Sequence, residues 1–156
     1  MLNQYNQFIE SPLGLVEVTA SAEGLTAVRF CEALQKCHPN HYTQQICEQL
    51  QAYFANQLTE FSVPLCPQGT PFQQQVWRAL TTIQYGETAS YGDIARYIKN
   101  EKAVRAVGMA NGRNPIAIVI PCHRIIGSNG TLTGYAGGLT RKAYLLALEK
   151  QERECP

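Results

Sequence analysis

Between Ile118 and Ile126 the chain reads Ile-Val-Ile-Pro-Cys-His-Arg-Ile-Ile. A run with no polar face must be covered on both sides, so Ile118 to Ile120 predicts a buried strand. Pro121 has no N–H and cannot continue a ladder, so a bend is expected there. That bend sets a thiol, Cys122, and an imidazole, His123, at the mouth of a buried element. A thiolate is a far better nucleophile than a thiol, and a nearby imidazole favours it. Cys122 therefore reads as a reactive centre. Were the strand to continue through both residues, their side chains would point to opposite faces. Contact between them needs a turn at Pro121 or a bridging water.

The chain has 156 residues, 45% hydrophobic and 16% charged, the balance of an ordinary globular protein of one domain or two small ones. No segment approaches the length of a membrane span, and the N-terminus has neither the basic nor the apolar region of a signal peptide. A cytoplasmic protein without membrane contact is expected. The net charge of +1 hides an asymmetry: residues 1–67 carry two basic and six acidic side chains, residues 68–156 eleven basic and six acidic. The basic half holds Cys122, which suggests an anionic partner such as nucleic acid. A chance split between two solvated surfaces explains the charge equally well. Cys31, Cys37, His38, His41 and Cys47 have no common zinc-ligand spacing, so no metal site is expected.

Alternation and turn residues predict a three-stranded antiparallel meander over Tyr5–Glu10, Leu15–Thr19 and Leu25–Phe30. An amphipathic helix over 41–57 follows, with Ile46, Leu50, Tyr53 and Phe54 on one face. Phe61, Val63 and Leu65 suggest a short strand. Pro64, Pro67 and Gly69 mark a boundary between an N-terminal domain, 1–67, and a C-terminal domain, 68–156. Thr70, Pro71 and Gln73 open a helix by a capping box. It is expected to run past Ile83 and end at Gly86, with Trp77 in the core. Ser90 caps a short helix through Ile98, Asn100 caps a second from Glu101 or Lys102 to Ala110 that Asn111-Gly112 stops, and Thr140 caps a last one to Glu149. The tail from Gln151 to Pro156 is expected to fray. Two short helices in succession, the second basic, fit a helix-turn-helix or a plain helical hairpin. Arg105 falls about 200° from Val107 on the second and points outward.

Pro121-Cys122-His123-Arg124 is the centre of a longer likeness. With it stand Gly86-Glu87-Thr88, Ser90-Tyr91-Gly92, Ala103 to Ala110, Asn114-Pro115, Gly134-Tyr135-Ala136-Gly137-Gly138-Leu139 and Leu145 to Glu149, in order. Over about residues 70–150 the chain resembles the O6-alkylguanine-DNA alkyltransferases, with a weaker likeness before that. The resemblance implies an α+β fold: an N-terminal three-stranded antiparallel sheet with a helix, ribonuclease H-like, then a mainly helical, winged-helix-like domain with the helix-turn-helix and the active cysteine. It implies DNA repair without a cofactor by a monomer that binds double-stranded DNA bearing O6-alkylguanine through the minor groove. Cys122 would take the alkyl group irreversibly, once per molecule, with O4-alkylthymine as a second candidate donor. His123 would draw the thiol proton through water, Glu149 would hold His123, and Asn114 would brace the turn. Tyr91 would crowd the phosphate and protonate the departing guanine. Arg105 would fill the gap left by the flipped base, with Ala106 and Gly108 also at the DNA. Tyr135, Ala136, Ile125, Asn111 and Met109 would line the base pocket. Ala136 stands where some relatives have serine, so a hydroxyl contact to guanine O6 is lacking.

The chemistry suits the residues. A base inside a duplex must be turned out before it is attacked, at a cost of a few kcal/mol, and an inserted side chain offsets part of the lost stacking. Three other readings have distinguishing marks. A binding protein on this scaffold lacks the acceptor cysteine. A cysteine hydrolase regenerates its thiol and turns over. A helix-turn-helix regulator survives Cys122→Ala.

Overall fold

The computed structural model describes residues 4–154. The chain divides into two compact units, Met1–Gln68 and Gly69–Pro156. In the first, strands β1 (Tyr5–Ser11), β2 (Gly14–Ala20) and β3 (Leu25–Cys31) form the expected antiparallel meander in the order β1-β2-β3. Pairing Ile9 with Val16 and Val18 with Val28 puts one apolar face in register. Helix α1 (His41–Phe54) covers that face with Ile46, Leu50 and Tyr53, all fully buried. Asn40 and Thr43 close a capping box at its start. It stops at Phe54 because Asn56 adopts a left-handed conformation (φ 61°), a common way to end a helix.

The strand expected around Phe61–Leu65 does not form. Leu65 makes a single parallel bridge to Leu25, with Leu25 N donating to Pro64 O at 2.8 Å and Cys66 N to Leu25 O at 2.7 Å. Pro64 has no N–H with which to extend the ladder.

The second unit is mainly helical. Helix α2 (Pro71–Leu80) opens on the Thr70–Gln73 capping box and buries Val76, Trp77, Ala79 and Leu80. Trp77 is core, 2% exposed, and its Nε1 donates to Ala110 O at 2.9 Å. The helix ends at Leu80, short of the expected Gly86. The Thr81 and Thr82 hydroxyls turn back onto the carbonyls of Arg78 and Ala79, at 2.6 Å each, competing with further backbone pairing. Ile83 stays buried, but in the turn beyond.

Helix α3 (Tyr91–Tyr97) is capped by Ser90, with Asp93 completing the box. Asn100 makes no side-chain cap. A 3-10 turn over Glu101–Ala103 intervenes, and helix α4 begins at Val104 and runs to Gly112. Two-residue strands β4 (Ala89–Ser90) and β5 (Ile125–Ile126) pair in parallel. Helix α5 starts at Leu139, one residue before the expected cap at Thr140, and reaches Glu154. Gln151 to Glu154 are thus helical, and the expected fraying of Cys155 and Pro156 lies outside the described residues. Among the described residues no helix is long and apolar enough to cross a membrane, and no group of histidine, cysteine or carboxylate side chains is arranged to hold a metal ion.

Candidate active site

The apolar run before Cys122 is not the expected strand. Ile116 to Ile120 fold into a turn in which Ile120 N donates to Ile116 O at 3.0 Å, and Ile118 takes φ 71°. That region is costly for a β-branched residue. Two things offset it. Ile116, Ile118 and Ile120 are all essentially buried. The Asn114 side chain also satisfies the turn's backbone: Nδ2 donates to Ile120 O at 2.8 Å and Ile116 O at 3.3 Å, while Oδ1 accepts from Ile116 N at 2.9 Å. A covered apolar segment needs partners for its backbone, not strand geometry as such. Here one amide side chain supplies them.

Beyond Pro121, Cys122–Arg124 form one 3-10 turn, with Cys122 N bonded to Ile120 O at 2.7 Å. Cys122 is 5% exposed. Burial pushes its pKa up, while a hydrogen bond from Asn114 and the charge of Lys142 pull it down. Upward wins, so the resting group is a thiol rather than a preformed thiolate.

His123 is fully buried. Its Nε2 lies 2.7 Å from Glu149 Oε2, and its Nδ1 is buried without a protein partner. Burial holds the imidazole below its usual pKa even though Glu149 opposes the shift, so the ring rests neutral. Glu149 is held by more than histidine. Arg124 donates from Nε to Oε1 at 2.9 Å and from Nη2 to Oε2 at 3.0 Å, and anchors itself by Nη1 to Ile83 O at 2.6 Å. Burial raises the Glu149 pKa, but the hydrogen bonds and charges of His123 and Arg124 more than reverse this, bringing it to about 2. A permanent anion therefore waits behind a neutral imidazole, ready to stabilise it once protonated. Spacing alone leaves the His123–Glu149 contact open and gives no sign of Arg124 as its second anchor.

The remaining candidates fall into two groups. On α4, Val107, Ala110 and Asn111 face inward, while Arg105, Ala106 and Met109 face outward. Met109 is 61% exposed and Asn111 4%, so these two stand on different faces of the helix. Gly108 faces the Tyr91 ring, and a Cβ there would meet it in ordinary contact at 3.6 Å. Tyr91 Oη lies 2.6 Å from Thr133 Oγ1. Ile125 is buried in β5, Ala136 is exposed, and the Tyr135 hydroxyl is buried without a partner. Burial, and then the nearby Cys122, drive the Tyr135 pKa up.

Lys142 and Thr133 were missed. Lys142 is fully buried, its Nζ donating to Thr133 O at 3.1 Å. Periodicity held the signal, since Lys142, Leu145 and Glu149 share one face of a helix.

Residues 4–67 match the family model "6-O-methylguanine DNA methyltransferase, ribonuclease-like domain", and residues 71–151 that family's "DNA binding domain". A methylated-DNA–protein-cysteine methyltransferase of Mycobacterium leprae is 62% identical over 152 residues, 92% of this chain and 91% of that protein. One of Methanosarcina acetivorans is 50% identical over 152 residues, 93% and 97% of the two chains. The crystal structure of Mycobacterium tuberculosis O6-methylguanine methyltransferase superposes with a TM-score of 0.88 at 47% identity, covering 98% of this chain and 96% of that one. The same organism's protein in complex with DNA gives 0.85 at 50% identity, covering 94% and 93%. On two matched domains and relatives of this identity over nearly the whole length, the chain belongs to the 6-O-methylguanine DNA methyltransferase family.

Proposed function

We propose that this protein repairs alkylated DNA by moving an alkyl group from O6 of guanine to Cys122 Sγ. The observation that carries the proposal is the buried series Cys122, His123, Glu149 and Arg124 in the same unit as the two-helix element α3–α4. Attack at a saturated carbon needs a soft, strong nucleophile, and a thiolate is one. The thiol proton leaves toward His123 Nδ1, the ring nitrogen without a protein partner, through a bridging water. Glu149, kept ionised by Arg124, stabilises the imidazolium. Asn114 sets the turn that aims the sulfur. The product is a thioether with no ready route back, so each molecule acts once and needs no cofactor.

The target carbon is inaccessible inside a duplex, so the base turns out into the site. Because Cys122 is 5% exposed, its entry displaces Tyr135 and the Ala136 loop. Ile125 and Asn111 bound the floor of the pocket, and Tyr91 donates a proton to the departing guanine. The outward face of α4, with Arg105, Ala106, Gly108 and Met109, enters the minor groove, and Arg105 fills the vacated stack. Exposed Lys99, Lys102 and Arg113 flank that face and meet phosphates without reading sequence. The protein acts as a monomer on double-stranded DNA. A cytoplasmic setting suits a nucleophile that must stay reduced. Incubation with duplex DNA bearing O6-methylguanine is expected to add one methyl group to the intact mass, with none added to Cys122→Ser. Loss of the lesion with an unmodified protein would falsify the reading.

A further inference from the structure

Lys142 presents a physical problem: an ammonium with no exposure at all. Such a charge persists in a protein interior only with hydrogen-bond partners and a use for its field. Its Nζ donates to the carbonyl oxygen of Thr133 at 3.1 Å and reaches Thr133 Oγ1 at 3.4 Å. Thr133 Oγ1 in turn lies 2.6 Å from Tyr91 Oη.

The polarity of this series is set at one end. An ammonium has donors and no acceptor. Thr133 Oγ1 therefore accepts from Lys142, and with a second lone pair and one proton it can either accept from Tyr91 Oη or donate to it. When Thr133 donates, Tyr91 Oη accepts and its own O–H is left to point away from Thr133. That arrangement turns a tyrosine into a donor aimed outward.

Resting on the alkyl-transfer reading above, we propose that Lys142, Thr133 and Tyr91 form a proton relay to the departing guanine, with Thr133 as its positioning link. The sulfur lone pair forms the S–C bond while the C–O6 bond breaks and its electron pair passes into the guanine ring. The Tyr91 O–H proton moves to the guanine, the Thr133 O–H proton to Tyr91, and a Lys142 N–H proton to Thr133. Tyr91 and Thr133 end as they began, the guanine leaves neutral, and Lys142 ends as an amine. The thiol proton rests on His123, so the positive charge lost at Lys142 appears there. Nothing is oxidised or reduced. Before transfer the buried thiolate and ammonium neutralise each other, and afterwards both charges are gone together. What remains inside is the His123 imidazolium, which keeps Glu149 as its counter-charge. Burial loosens the hold of Lys142 on its proton, the direction that the relay requires.

The test uses the full chain and two methyl donors. O6-methylguanine in duplex DNA needs its leaving group protonated, whereas methyl iodide releases iodide, which does not. Thr133→Val is expected to slow transfer from the duplex roughly 10- to 100-fold, within what a positioned general acid contributes. Its rate of Cys122 methylation by methyl iodide is expected to match the parent's, and Thr133→Ser to restore most of the duplex rate. Tyr91→Phe and the Tyr91→Phe/Thr133→Val double variant are expected to be equally slow, since Thr133 acts only through Tyr91. A Thr133→Val protein at the parent's rate on the duplex, equal losses on both donors, or additive losses in the double variant would overturn the relay. A parent chain that takes no methyl group from the duplex would instead sink the alkyl-transfer reading, and the relay with it.

Discussion

Glu149 Oε2 lies 2.7 Å from His123 Nε2 with both side chains fully buried, and Arg124 holds the same carboxylate from its other side. The pair lies between residues 26 positions apart. Removing its charge has two separable consequences. Glu149→Gln keeps the shape but strands the Arg124 guanidinium in the interior, and breaking a buried pair in this way costs about 3–5 kcal/mol. Chemical denaturation of the variant is expected to show that loss. Methyl transfer by the folded fraction is expected to fall roughly 100-fold, because the imidazolium loses its counter-charge. An unchanged denaturation midpoint would mean that Arg124 finds another partner.

Stability should fall in acid in two stages. The Glu149 carboxyl is lowered from 4.5 to about 2 in the fold. The unfolded chain therefore takes up the proton first, and the stability contributed by the ionised form is present above 4.5 and lost as pH drops toward about 2. His123 is held below its ordinary 6.5 by burial. The unfolded imidazole again protonates first, so stability begins to decline as pH falls through 6.5. Urea midpoints across this range are expected to fall continuously with acid. In Glu149→Gln the lower stage is expected to vanish, and a retained stage there would point to another carboxylate.

Asn114 is expected to act on both the turn and the thiol. Asn114→Asp keeps the acceptor for Ile116 N but replaces the donor to Ile116 O and Ile120 O. With net values near 1 kcal/mol per hydrogen bond, and more where a carbonyl is left buried, a loss of about 2–4 kcal/mol is expected. The added negative charge near Cys122 should also raise the thiol pKa further. Iodoacetamide labelling against pH is the readout. A labelling curve that does not move to higher pH would show that Asn114 supports the turn alone.

Arg105 is exposed on α4. Arg105→Ala is expected to slow repair of duplex DNA roughly tenfold or more, the cost of leaving an unstacked gap, while reaction with free O6-benzylguanine stays near the parent rate. Equal losses on both substrates would remove the intercalating role.

Local rules were enough for much of the fold. The meander, α1 and both capping boxes at Thr70 and Ser90 follow from alternation and from hydroxyl side chains three residues ahead of a Gln or Asp. They are legible because each is held by contacts a few residues apart. The misreadings share a cause as well. Ile118 to Ile120 look like a strand because apolarity signals burial, and burial is what the structure gives them. Their conformation was decided by Asn114, a side chain outside the run. Phe61 to Leu65 failed as a strand for the complementary reason: the alternation was present, but Pro64 allowed only one bridge.

By itself, the order of residues determined which thiol is chemically singular, which helix carries an outward arginine and which half is basic. These are properties of composition and period, set within a turn or two of chain. Only the tertiary structure decided the protonation states: a neutral Cys122, a neutral His123, an ionised Glu149 and a buried Lys142 directed through Thr133 to Tyr91. Proton affinity depends on desolvation and on charges brought together from distant positions, and neither quantity is written in a linear sequence.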